Sequence, residues 1–353
     1  MRYFDETLVA NHSEHRNWWG ELSVNREHFH RSETSHAALI AEMGVANAAS
    51  ILPRDAWLEM DGITRRVMRD DEGEVYMRDL MALAKPVNIG KLVHMTRVSS
   101  DAGKVVRSMS GQVPVGMDKV VYDYRGAPVP IFSTAYGREW REWNTLQSEN
   151  FDALLDDQEA HTAALRRDQA DYVLNGDIKL SVKGYKGYGI RNNPLTKLVN
   201  LGSGAGGANI NLTTATADAL DVFFSQTLGA MLDANLIVGK VNLYISPDIA
   251  RAWDKTYSGS AGFKEGTVFD FLKKNRRINK IEVTYKLTGN EFFGFVPSSE
   301  YIRPLVGMAM NTTAMARPNP TDNYQFLVMG ALGLEERADY NGKSGVFASV
   351  IVN

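Results

Sequence analysis

The sequence predicts a mixed α+β protein in which an α/β region is set between stretches of strand. Three observations carry this. A run of about 30 mostly polar residues, 145–174, keeps helical spacing of its apolar positions; strand-like segments flank it on both sides; and strand and helix patterns alternate from residue 195 to about 290.

Residues 1–55 are polar, rich in Asn, His, Ser and Glu, with apolar residues too scattered for a core of their own. They read as an arm that packs on other chains, with a short helix over 35–49. A second helix opens near Pro53 and Asp55, so that 56–86 is a helical start to the body. Residues 87–134 change to strand patterning. Val120, Tyr122 and Tyr124 share one face, and Val121, Asp123 and Arg125 the other. Asp101, Gly103 and Lys104 supply turn chemistry at the tip, while Pro114, Pro128 and Pro130 confine the runs to edges or bulges. A two-stranded ribbon is marginal alone in water, so this one is expected to lie on a neighbouring subunit.

The long helix follows, with Asn144 as a candidate N-cap, Phe151, Leu154, Leu155, Leu165, Tyr172 and Val173 as its stripe, and Asn175-Gly176 as its stop. About 30 residues at 1.5 Å each give a rod of roughly 45 Å. "GYKGYG" then places Gly184, Gly187 and Gly189 within six residues. Gly187 and Gly189 are candidate positive-φ positions for a chain reversal. Segment 135–194 thus forms the long helix and a hook.

In the α/β region, 195–290, helices are expected over 217–235, 247–255 and 267–275, strands over 240–247 and 280–287, and a loop at "SGSAGFKEG". Four further strand runs divide between 291–340 and a C-terminal strand, 341–353, that returns to the α/β region.

Chemistry is sparse. Thirty-nine Lys and Arg against 42 Asp and Glu give a net charge of −3, with no overall signature of nucleic-acid or membrane binding. The absence of cysteine removes disulfides, thiolate nucleophiles and sulfur-ligated metals. The first residues carry Asp5, Glu6 and Glu14 and no apolar run of the length a signal peptide needs, and no later segment approaches a membrane span, so a protein made in the cytoplasm is expected. "GSGAGG" at 202–207 lacks the Lys-Ser/Thr of a phosphate loop. His12, His15, His28, His30 and His36 lie in the arm without partners at ligand spacing, and no metal, cofactor or catalytic set is assigned. Asp156-Asp157 and Glu335-Glu336 sit in polar runs and are expected to be solvated. The basic cluster Lys273, Lys274, Arg276, Arg277 and Lys280 reads as a helix end or a salt-bridge patch, since no aromatic residues interleave it.

The order of these parts, with the long helix closing on "YVLNGD" and "GYKGYGIRNNP" following it, resembles that of a tailed-phage major capsid protein, the shell fold also used by encapsulins. The resemblance implies an N-arm, an extended E-loop, a P-domain with its spine helix and an A-domain. It further implies hexamers and pentamers in an icosahedral head that encloses double-stranded DNA by weak, non-specific contact. Portal, scaffolding and decoration proteins would be partners, and the protein would reside in the virion after assembly in the host bacterial cytoplasm. Some relatives cross-link an E-loop lysine to a neighbour's asparagine, for which Lys104 and Lys119 are available. An encapsulin-like compartment shell and an α/β metabolic enzyme are the alternatives; the arm speaks against the first, the lack of a nucleophile, base and orienting group against the second.

Overall fold

The computed structural model describes residues 74–353 apart from 104, 106, 110–117, 142–152, 260, 261, 318, 320 and 353. The expected arm and the helices over 35–49 and 53–69 lie outside the described residues. Two sheets organise the rest. The first has the order β11-β8-β12-β15-β7, built from β7 (Lys197–Asn200), β8 (Val241–Ile245), β11 (Ile278–Val283), β12 (Phe292–Phe295) and β15 (Val346–Val350). Strands β11 and β8 are parallel, as are β15 and β7, while β12 runs antiparallel to both of its neighbours.

All five residues of β8 are buried, because both faces of this sheet are covered. Side chains alternate across a strand, so β8 and β12 feed two cores. Leu243, Ile245, Phe292 and Phe347 face one side, against Phe224 and Trp253 from the helices α3 (Ala217–Val222) and α5 (Pro247–Trp253) and the segment between them. A π-helical turn, Phe223–Thr227, joins α3 to α4 (Leu228–Ala234) and leaves consecutive Phe223 and Phe224 both buried. Tyr244, Phe293, Phe295 and Ala348 face the other side. There they meet Tyr76 of α1 (Glu74–Met81), Leu174 of α2 (Ala153–Asn175), and Ile190. Tyr244 stacks on Phe293 at 4.9 Å, and Tyr76 meets Phe293 edge-on at 5.5 Å, both favoured ring geometries. Asp79 of α1 accepts from the Tyr244 hydroxyl and pairs with Lys280, tying this helix to the sheet. Burial and that bond push the Tyr244 phenol well up.

Helix α5 shows how local chemistry fixes an element. Pro247 occupies the first turn, where no N–H is needed, and Ser246 accepts from the Ile249 amide at 3.2 Å as N-cap. The buried Ser246 hydroxyl also donates to the Gly289 carbonyl at 2.5 Å. Ser246→Ala removes the cap and orphans that carbonyl, and is expected to lower unfolding free energy by about 2 kcal/mol in denaturant titration.

The second sheet has the order β1-β13-β14-β4, from β1 (Lys85–Pro86), β4 (Ile131–Arg138), β13 (Ile302–Ala314) and β14 (Tyr324–Glu336). Helix α2 packs on β4 and β14, with Tyr172 edge-on to Phe132 at 5.5 Å and Ala170 in one core with Leu332 and Leu334. The guanidinium of Arg138 forks onto both oxygens of Asp157 at 2.6 and 3.0 Å, so Asp157 is paired, contrary to the expected solvated carboxylate.

Other expectations are corrected. The "SGSAGFKEG" loop is instead part of a hairpin, β9 (Thr256–Gly259) and β10 (Gly262–Thr267), which leads into α6 (Val268–Lys273). The expected boundary at 290/291 would separate Phe292–Phe295 from the α/β region, yet β12 pairs there with β8 and β15. Glu335 and Glu336 are only 3% and 6% exposed, because the end of β14 is enclosed by residues far away in sequence.

Candidate assembly surfaces

The hook is built from the C-terminus of α2. An α-helix leaves its last carbonyls without partners. Here three consecutive ones are satisfied by the returning chain. Ile190 N donates to Val173 O and Arg191 N to Leu174 O, each at 2.9 Å, and the Asn192 side-chain amide donates to Asn175 O. Gly189 N donates to Asn192 Oδ1 at 2.7 Å, fixing that side chain. Between helix and cap the chain makes a hairpin, β5 (Gly176–Val182) and β6 (Tyr185–Tyr188), a strand pair that the sequence reading did not anticipate.

Each glycine here has its own reason. Gly176 turns the chain out of the helix at φ +67°, the left-handed position typical of a helix stop. Lys183 and Gly184, at φ +51° and +88°, form the two-residue hairpin turn. Neither Gly187 nor Gly189 adopts positive φ; what excludes a side chain from them is space. A Cβ on Gly189 would stand 2.4 Å from Gly176 N, and one on Gly187 2.8 Å from the Tyr172 hydroxyl. Gly176, Gly187 and Gly189 therefore meet at one crossing of backbone.

The second feature is the ribbon, β2 (Val93–Ser99) paired antiparallel with β3 (Tyr122–Pro128) from Val93↔Pro128 to Ser99↔Tyr122. Its burial is graded. Ala127 and Pro128 are buried at the base, whereas Tyr122 and Tyr124 are 51% and 59% exposed toward the tip. Asp101 is exposed and accepts from Ala102 N, and Gly103 has φ +102° with its amide 3.3 Å from Asp118 Oδ2. Lys104 lies outside the described residues, and Lys119 is exposed.

The base of the ribbon is held by charge. Arg125 donates to the carbonyls of Ala338 at 2.8 Å and Asp339 at 3.1 Å. His94 lies 3.4 Å from Lys85 Nζ and 3.9 Å from Glu335 Oε2, with burial foremost in holding its pKa down. Arg303 donates to Glu335 Oε2 at 2.7 Å. Sequence reading missed Arg125, Asn192, Glu335 and Glu336 as organising residues. The "NNP" turn after the hook was the signal for Asn192; the others carry none.

The glycine run 202–207 serves the C-terminal end of the chain: Gly204 N donates to Val352 O at 2.9 Å, and a Cβ at Gly207 would sit 2.0 Å from Gly202 O. In the basic cluster, Arg277 pairs with Asp233 at 2.6 Å and Lys280 with Asp79 and Glu282. Among the described residues no group of three or more His, Asp and Glu could hold a metal ion, and no helix is long and apolar enough to cross a membrane.

Several solved structures share this arrangement. The capsid of Myoviridae phage XM1 superposes with a TM-score of 0.63 at 12% identity, over 86% of this chain and 100% of that one. The capsid of the native GTA particle gives 0.60 at 13% identity, over 88% and 100%. A structure from Mycobacterium phage Che8 gives 0.55 at 11% identity, over 86% and 98%. At these identities the likeness establishes the fold, which is the tailed-phage capsid fold, over nearly the full length of those chains. No curated protein matches the sequence. A family model does match, over residues 47–349, and the chain therefore belongs to DUF6260, a family of unknown function.

Proposed function

We propose that this protein is a major capsid protein that self-assembles through hexamers and pentamers into the icosahedral head of a tailed bacteriophage, enclosing double-stranded DNA. The observation that carries the proposal is the ribbon. It projects exposed Tyr122 and Tyr124 from a body that satisfies its own core, in a fold whose similar solved structures are shells. Apolar surface on a two-stranded ribbon is a surface in need of a partner, and in a closed symmetric assembly another copy supplies it. The role is structural, with no substrate assigned.

In this proposal residues 1–55 are the N-arm, 56–86 the helical start of the P-domain, 87–134 the E-loop, and 135–194 the spine helix and hook. The A-domain is the five-stranded sheet with its helices, to which 341–353 returns, and the P-domain sheet carries 302–336. DNA is held by weak, non-specific contact, in line with the net charge of −3. Portal, scaffolding and decoration proteins are the further partners, the virion is the location, and assembly takes place in the host cytoplasm.

Light scattering and negative-stain electron microscopy of the purified protein test this. Closed particles or rings of five and six subunits are expected, whereas a monomer or dimer that persists across a wide range of salt and concentration overturns it.

A further inference from the structure

Glu336 closes β14 with its side chain buried, and its hydrogen-bond partners are two hydroxyls rather than a cation. Ser344 Oγ lies 3.0 Å from Oε1 and Thr196 Oγ1 2.8 Å from Oε2. The Thr196 oxygen also lies 2.6 Å from the carbonyl of Ile190. Counting protons decides what the carboxyl must be. A carbonyl only accepts, so the single Thr196 hydroxyl proton is committed to Ile190 O, the shorter of its two contacts. The contact between Thr196 and Oε2 then needs a proton from Glu336. At the other end the Ser344 oxygen accepts from Val346 N at 3.2 Å and its hydroxyl is free to donate to Oε1. A neutral acid satisfies every member of the chain; a carboxylate leaves two oxygens facing each other with no proton between them.

We propose that Glu336 is kept as the neutral acid, and that its proton locks together the end of β14, the loop over residues 338–344 and the residues that cap the long helix. The connections run outward from it. Through Ile190, whose amide caps Val173, the chain of bonds reaches the C-terminus of α2. Through Ser344, bridged to Ala338, it reaches the loop whose carbonyls hold Arg125 of the ribbon. The proton therefore ties the seat of the ribbon to the hook.

The charged groups around the carboxyl fit this. Lys197 follows Thr196, Arg337 follows Glu336, and the adjoining cleft is lined by Arg97, Arg125, Glu300, Asp339 and Lys343, of mixed sign. Burial dominates over the two hydroxyls and Lys197, and pushes the Glu336 pKa up to about 8. A carboxyl whose pKa is higher in the folded than in the unfolded chain holds its extra proton between the two values. Stability thus falls as pH rises from about 5 to about 8, and levels off above. The lock concerns contacts within one chain and stands whether or not the protein forms shells.

Glu336→Gln tests it, because the Gln amide can donate to Thr196 while its carbonyl accepts from Ser344, as the neutral acid does. Relative to this variant, wild type is expected to lose up to about tenfold in its folding equilibrium constant for each pH unit between 5 and 8. Hydrogen exchange, corrected for intrinsic rate, should show 189–196, 338–344 and the ribbon base opening in wild type from pH 6 to pH 9, and staying closed in the variant. An identical pH dependence in both proteins overturns the proposal. Should the variant fail to fold, infrared spectra of wild type decide: a protonated-carboxyl band at neutral pH that titrates away near pH 8 supports it, and no such band refutes it.

Discussion

Gly189→Val is expected to cost on the order of 4 kcal/mol or more, enough to remove most of a typical domain's stability. A Cβ there would lie 2.4 Å from Gly176 N, 2.7 Å from Asn175 C and 2.8 Å from Leu174 C. All three are backbone atoms in the last turn of α2 and its stop, so no rotamer change relieves the overlap. Room can be made only by drawing residues 189–192 away from the helix, which forfeits the bonds from Ile190, Arg191 and Asn192 to its last three carbonyls and leaves the acceptors of buried Val173 and Leu174 without donors. Gly184→Ala is the control. Its φ of +88° imposes a left-handed strain of about 1–2 kcal/mol, but nothing lies within 4 Å of the added methyl group. Denaturant unfolding of the two variants should differ by several-fold in free-energy loss; equal losses would show that φ alone, and not the backbone crossing, makes this segment glycine-rich.

Shortening the ribbon is expected to abolish closed-shell formation while leaving the subunit folded. Ser100 and Val121 face each other across it, with Ser100 N donating to Val121 O at 2.8 Å and Val121 N to Ser100 Oγ at 2.9 Å. Replacing residues 101–120 by Asn-Gly would therefore close β2 and β3 with a two-residue turn that suits their twist. The excised segment includes Val105 and Met109, 88% and 107% exposed, which contribute nothing to either core. The thermal midpoint of the unassembled chain should thus be unchanged within a degree or two, while particles vanish from electron micrographs. Unaltered particles from the shortened chain would remove the ribbon tip from assembly. A fall in the midpoint of the unassembled chain would show instead that the tip packs within its own subunit.

What local pattern can encode was legible in the residues alone. Period-two alternation marked the second strand of the ribbon, apolar runs marked the central strands, helical spacing marked the long helix, and Asn175-Gly176 marked its end. The residue chemistry that ends a helix or lines one face of a strand is carried by the residues themselves. Which surfaces meet depended on long-range packing. "FFGF" reads as a strand wherever it lies, and its place between β8 and β15 depends on partners about 50 residues away on either side. Gly187 and Gly189 suggested a turn, but the reason for them is the close passage of a second stretch of backbone, which no local pattern specifies. Glu335-Glu336 looked like a solvated pair for the same reason. Their enclosure comes from His94, Thr196, Arg303 and Ser344, brought by four separate segments. A charge is read from sequence as belonging in water, and only the packing around it can make a neutral acid the state that satisfies its neighbours.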